Sequence, residues 1–470
     1  MIDFRILKEQ VSEPQLLIDR LLNILNNPEY GESVYVIRAL MRNPCKPDYN
    51  HFLFETICLC IRLTCATEPA LVLHFEAAFL PIFQDILQQD VVEFVPYVFQ
   101  LISVMLEQYP LSQTVLTNCK LPSPVINGMT TGTPNNFRPS QAYSALLQRI
   151  LVPSLWEPNR NVPSLVRLLQ AYLLHNMDDV LAANKITPIL GVFQKLVNSS
   201  INDVYAFALL NGILLSGPKD ILMPTYFRQI FMIIFRRLQS CKREKFMKAF
   251  ASFIAHMVLI YSPNELITLV DSIQSNLFAR VLEKVLIPYA EIIIATPLIS
   301  TSGFANIIIK RKKFTSLYPC VFICSISESA EVSSLPSTSV CTEWRMNSIG
   351  LIRFIGEAQA LLTDGSTYRE SWLPLLIKII TGLASGPGRG GEAASDLAVS
   401  MAMNSMVDGF QKDERFIEID SDPSGQSAYS QLTFAIQKLP DLYASITDPR
   451  VYLAKTLHDL SNLSPGKVIN

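Results

Sequence analysis

The sequence has little charge and few of the groups that do chemistry. Charged residues make up 17% of its 470 positions, with 39 Lys and Arg against 41 Asp and Glu. The formal net charge of −2 leaves no global positive field, which argues against a nucleic-acid partner. Five histidines, His51, His74, His175, His256 and His458, have no partner at metal-ligand spacing. Each reads as a satisfied core histidine or a surface one. Nine cysteines form no CxxC pair, and Cys58, Cys60 and Cys65 share one apolar stretch. They read as small buried hydrophobes in a reducing compartment. A Walker phosphate loop is absent. The stretch Gly386 to Gly391 fits GxGxxG, but a helical stripe precedes it where a strand is needed, and Pro387 interrupts it. It reads as loop. No catalytic group, cofactor or metal is expected.

Membrane and export signals are also lacking. The opening MIDFRILKEQ has no signal-peptide profile. The uncharged run 292–309 is broken by Pro297, Gly303 and Asn306. A soluble chain without a membrane span is the expectation.

What the sequence does contain is helical periodicity. Between Ile150 and Leu215 four amphipathic segments follow one another, separated by polar turns at Glu157–Asn161, Asn176–Asp179 and Asn198–Asp203. Leu165, Leu168, Leu169 and Tyr172 form one stripe, and Ile189, Val192, Phe193 and Leu196 another. Helices joined so closely lie antiparallel to their neighbours. No strand pattern interrupts them. Prolines after apolar residues, at Pro81, Pro96, Pro153, Pro188, Pro224, Pro288 and Pro374, are expected in the first turns of helices. Pro153 and Pro188 lie 35 residues apart and Pro188 and Pro224 lie 36 apart, the length of a helical hairpin. A lone hairpin cannot bury its apolar face, so the spacing predicts an all-α, HEAT/armadillo-type α-solenoid.

The expected organisation is HEAT-like repeats over 1–109, a loop insertion over 110–139, and repeats again over 140–296. A poorly ordered insertion follows over 297–346, then a repeat over 347–384, mostly loop over 385–414, and C-terminal helices over 415–470. Pro288 and Pro374 lie 86 apart, and removing about fifty residues restores the hairpin spacing. Surface loop and retained intron both fit the inserted stretch. Asp90 is expected to cap the helix that follows it.

Two charged clusters are candidate partner-binding sites. Arg236, Arg237, Lys242, Arg243 and Lys245 bracket a helix–helix joint. A solvated helix end is the default for such cations, and a partner-binding ridge is the alternative. Asp413, Glu414, Glu418, Asp420 and Asp422 form an acidic stretch able to meet a basic partner. The basic run Lys310 to Lys313 falls inside the inserted stretch and reads as incidental.

Several stretches carry a resemblance. NPCKPDYNHFLFETICLCIRLTC (43–65), LWEPNRNVPSLVRLLQAYL (155–173), ILGVFQKLVNSSINDVYAFALLNGIL (189–214) and YFRQIFMIIFRRLQSCKREKFMKAFASFI (226–254) are among them. FQDILQQDVVEFVPYVFQLISVMLE (83–107) and FIEIDSDPSGQSAYSQLTFA (416–435) complete the set. They resemble the C-terminal half of the karyopherin-β export receptors that return importin-α to the cytoplasm. The likeness runs through turns as well as helix faces. It implies importin-α and Ran-GTP as partners, contact with nuclear pore proteins, shuttling between nucleus and cytoplasm, and no catalysis. The second helix of each hairpin is expected to face the partners. The family's N-terminal arch, with its main Ran-binding surface, has no counterpart here, nor does its last short segment after Asn470. One helix looks skipped at Arg42–Asn43. Segments 111–138 and 297–346 match nothing in the family, and 385–411 is longer and differently composed. The chain by itself is therefore expected to bind Ran-GTP poorly. A Ran-independent HEAT-repeat scaffold is the alternative.

Overall fold

The computed structural model describes residues 47–119, 137–240, 243–295, 334–363, 366–385, 431–435, 443 and 445–463. Most of these are helical, and no strand occurs among the described residues. The chain divides into two compact units. The first lies within Met1–Leu116, Pro122–Phe193 and Glu418–Gln437; the second lies within Thr117–Leu121, Gln194–Ile417 and Lys438–Asn470.

The first unit is built from α1 (Pro47–Thr67), α2 (Val72–Gln88), α3 (Val95–Leu106), α5 (Gln141–Ile150), α6 (Val162–His175), α7 (Met177–Ala182) and the start of α8 (Ile186–Asn198). The short α4 (Gln113–Asn118) crosses the division in sequence. At the centre α3 packs on α6, with α1 and α2 against α3. All twelve residues of α3 are buried, as are Leu165, Leu168, Leu169 and Tyr172 of α6. A helix apolar on every side belongs in an interior, and VPYVFQLISVML has that composition.

The second unit runs from α9 (Asp203–Ser216) through α10 (Lys219–Leu222), α11 (Arg228–Ser240), α12 (Glu244–Ile260), α13 (Pro263–Asp271), α14 (Leu277–Val281) and α15 (Ile287–Ala295). It continues with α16 (Ser334–Glu357), α17 (Gln359–Leu362), α18 (Trp372–Ser385) and α19 (Pro449–Leu463). Here α12 is the buried centre, packed on α9, α15 and α16, while α15 meets α18 and α16 meets α19. Between α12 and α16 the backbones nearly touch: a Cβ at Gly350 would lie 2.2 Å from the Ala255 carbonyl oxygen.

Several expectations change. The second helices of hairpins, α3, α6 and α12, are buried nearly throughout, so they offer partners almost no face. The helix expected from residue 347 starts at Ser334, because Thr342, Glu343, Trp344 and Met346 are already buried in the unit. The rest of the 297–346 segment, like most of 385–414, lies outside the described residues. Within 110–139, α4 is ordered by Asn118, whose Nδ2 donates to the Leu215 and Gly217 carbonyls at 3.0 and 2.9 Å. Asp90 ends α2 rather than capping α3. It sits at φ 48°, a left-handed conformation that Asp tolerates at a helix C-terminus.

The prolines divide into two groups. Pro96, Pro188 and Pro374 fall in first turns, as the pattern predicts. Pro153 opens only a 3-10 turn, and Pro81 lies inside α2. At Pro224 and Pro288 the helical run continues through the proline. A π turn, Met223–Phe227 or Leu282–Leu286, contains or precedes each one. The wider turn accommodates a residue that cannot donate a helical hydrogen bond.

Among the described residues, one helical stretch, Pro69–Gln88, is long and apolar enough by composition to cross a membrane. Its buried apolar residues Val72, Phe75, Phe79, Ile82, Phe83 and Ile86 recur at helical spacing and form a core stripe, with Glu76 buried beside them.

Candidate partner-binding surface

The basic cluster is only partly a surface feature. Asp203, in the first turn of α9, is 1% exposed. Its carboxylate pairs with Arg243 and, at 3.9 Å, with Arg237 Nη2. Burial raises the Asp203 pKa, and the two guanidiniums oppose that shift. Arg237 and Arg243 thus tie the α11–α12 joint to the start of α9. Arg236 points to solvent, Lys245 is half-buried, and Lys242 lies outside the described residues. Asp413, Glu414, Glu418, Asp420 and Asp422 lie outside them too. The exposed side of α11 therefore offers Arg236 with Met232, which is 51% exposed. On α18, Leu373, Ile377 and Ile380 are also exposed, at i, i+4 and i+7.

Two buried polar centres in the first unit escaped sequence reasoning. Glu107 Oε2 accepts Arg62 Nη2 at 2.7 Å, and Glu107 Oε1 forms an ion pair with Arg167 Nη2 at 2.8 Å. Glu76 Oε1 accepts the hydroxyls of Tyr109 and Tyr143, each at 2.7 Å. Burial pushes the Glu76 pKa up despite these two donors. Tyr172 donates to the Tyr143 carbonyl at 2.8 Å and so extends the network into α6. Residues 62, 107 and 167 share no local spacing, so no motif could have joined them.

Burial shifts several other titratable groups among the described residues. His175 Nδ1 lies 2.7 Å from the Tyr109 carbonyl, and burial lowers its pKa. Burial lowers His256 to about 4. The thiols of Cys58, Cys65 and Cys119 rise to about 12 and that of Cys60 to about 11 through desolvation. No group of three or more His, Cys, Asp or Glu able to hold a metal occurs among the described residues.

Helices packed around largely buried central ones, with no strand among the described residues, define the class: an α-solenoid repeat protein. Its fold matches a solved exportin Cse1 in its cargo-free, cytoplasmic state, with TM-score 0.59 and 19% identity, over 98% of this chain and 36% of that one. Residues 31–120 and 134–322 match the family model described as CAS/CSE protein, C-terminus, and the chain belongs to that family. The match passes over 121–133, within the expected loop insertion, and runs on to 322, into the segment expected to be inserted. Exportin-2 of Pagrus major is 34% identical over 441 residues, 93% of this chain and 36% of its own length. Exportin-2 of Homo sapiens is 32% identical over 486 residues, 97% of this chain and 40% of its own length. The chain thus spans well under half the length of these relatives.

Proposed function

We propose that this chain acts in nuclear export, as the C-terminal helical-repeat part of a receptor that binds importin-α together with Ran-GTP and returns it from nucleus to cytoplasm. The match to the CAS/CSE C-terminus along more than half of the chain carries this reading. The exportin-2 relatives support it. The mechanism is linkage between two binding events: each partner raises the other's affinity, by about 5–150-fold in typical coupled systems. A repeat array suits this, because small changes per hairpin add along its length. The receptor itself needs no catalytic group, and transient contact with nuclear pore proteins accompanies passage.

Because the chain by itself is expected to bind Ran-GTP poorly, the test is capture of importin-α by an exportin-2 whose C-terminal part is replaced by this chain, with and without Ran held in its GTP form. Nucleotide-dependent capture is expected; equal capture in both conditions points to a Ran-independent scaffold. Arg236→Glu probes the candidate basic surface cleanly, because Arg236 is exposed whereas Arg237 is committed to Asp203. Reduced capture with unchanged thermal stability assigns Arg236 to the contact. Unchanged capture removes it.

A further inference from the structure

Residues 431–435 touch helices more than 300 positions earlier in the chain. The segment makes a single 3-10 turn, Thr433–Ala435, and Leu432 and Ala435 are fully buried where it packs on α1 and α3. Its main chain is held at two points. The Leu432 N–H donates to Gln100 Oε1 at 2.9 Å, and the Arg62 Nε–H donates to the Phe434 carbonyl at 3.1 Å. Both side chains are also held by partners outside the segment. Gln100 Nε2 donates to the Pro96 carbonyl at 3.2 Å, and Arg62 Nη2 is paired with Glu107 at 2.7 Å. The two polar groups of the groove thus have anchors other than residues 431–435. One buried acceptor, one ion-paired donor and two apolar seats form a peptide-reading surface. They fit a short segment that presents Leu with a small residue three positions on.

We propose that the groove between α1 and α3 is a peptide-docking site, and that Gln431–Ala435 is its built-in ligand, a detachable strap. While the strap is seated, an outside segment of the same pattern is shut out. Tethering gives the strap an effective concentration on the order of millimolar, so a competitor must bind more tightly than that or act after the strap has left.

The probe is a fluorescein-labelled peptide of residues 430–437, SQLTFAIQ, titrated against the full chain by anisotropy. A chain carrying Leu432→Asp and Ala435→Asp, which unseat the strap, is expected to bind the peptide at least about ten-fold more tightly than the unaltered chain. Adding Gln100→Ala to it should weaken binding about ten-fold, the effect of losing a hydrogen bond to a buried group. Equal binding by both chains overturns the proposal. So does no binding by a strap-displaced chain that retains its helical circular dichroism. Should the double variant lose helicity, hydrogen exchange on the Gln100→Ala chain decides. Faster exchange at 431–435 with α2 unchanged supports the strap. Unchanged exchange at 431–435, or loss of protection throughout α1, α2 and α3, overturns it.

Discussion

In the first unit two buried carboxylates, Glu76 and Glu107, each join side chains from separate parts of the chain. In the second, the buried acid Asp203 sits at a helix start, and the central α12–α16 contact combines hydrogen bonds with a close backbone approach. In the first, Glu107 holds two arginines and Glu76 holds two tyrosines, all between packed helices. In the second, Arg353 Nη1 donates to the carbonyls of Val258 and Leu259, each at 3.0 Å, at the C-terminal end of α12. Arg450 Nε donates to the Leu383 carbonyl near the end of α18 at 3.1 Å. These carbonyls have no partner within their own helices, so a guanidinium there satisfies them and complements the helix dipole. The α12–α16 contact also depends on the close backbone approach at Gly350. The Glu107 pair is thus a purely polar contact and the Gly350 approach a steric one, and the two should fail differently.

The largest expected effect is in the first unit. Glu107→Ala leaves Arg167, whose side chain is 8% exposed, without its carboxylate. Removing one partner of a buried pair costs about 3–5 kcal/mol. Urea unfolding should show that loss, with hydrogen exchange rising first in α1, α3 and α6. A loss below about 1 kcal/mol, the size of a surface pair, would erase the contrast between the units.

Gly350→Ala should come next and act in the second unit. Its Cβ would meet main-chain atoms of Ala255, which cannot swing aside. Overpacking of this kind costs about 1–3 kcal/mol, and backbone contact puts it at the upper end. Faster exchange confined to α12 and α16 would sharpen the comparison.

A smaller effect concerns pH. The folded Glu76 pKa is raised above its ordinary 4.5, chiefly by burial. An acid raised in this way favours the folded state most below its unfolded pKa, and the contribution falls as pH rises through the folded value. Glu76→Gln should remove that downward slope from the urea midpoint, measured between about pH 4 and about pH 8. A slope identical to that of the unaltered chain would mean that Glu76 is not the titrating group.

The smallest change should have the opposite sign. Gly191, exposed on α8, has nothing within 4 Å of an added Cβ. Gly191→Ala should stabilise the chain by about 0.5–1 kcal/mol through helix propensity alone, seen as a raised urea midpoint.

Much of the fold was legible because helical burial follows local periodicity. The stripes of α6 and α8 fall where Leu165, Leu168, Ile189 and Phe193 placed them, and all four are buried. The candidate surface was less legible. Arg236, Arg237 and Arg243 look alike in sequence, yet only the packing of α9 reveals that two of them belong to Asp203. Pro96 and Pro224 likewise share one local pattern, but one opens a helix and the other lies in a π turn.

The order of residues by itself determined that this protein is a run of helical hairpins of the CAS/CSE kind, because a 3.6-residue repeat and a turn every hairpin are properties of neighbouring residues. Tertiary structure alone decided which charges are spent inside, where two backbones meet at Gly350, and that residues 431–435 return to α1 and α3. Those outcomes are set by contacts between residues tens to hundreds of positions apart, and no local pattern records such distances.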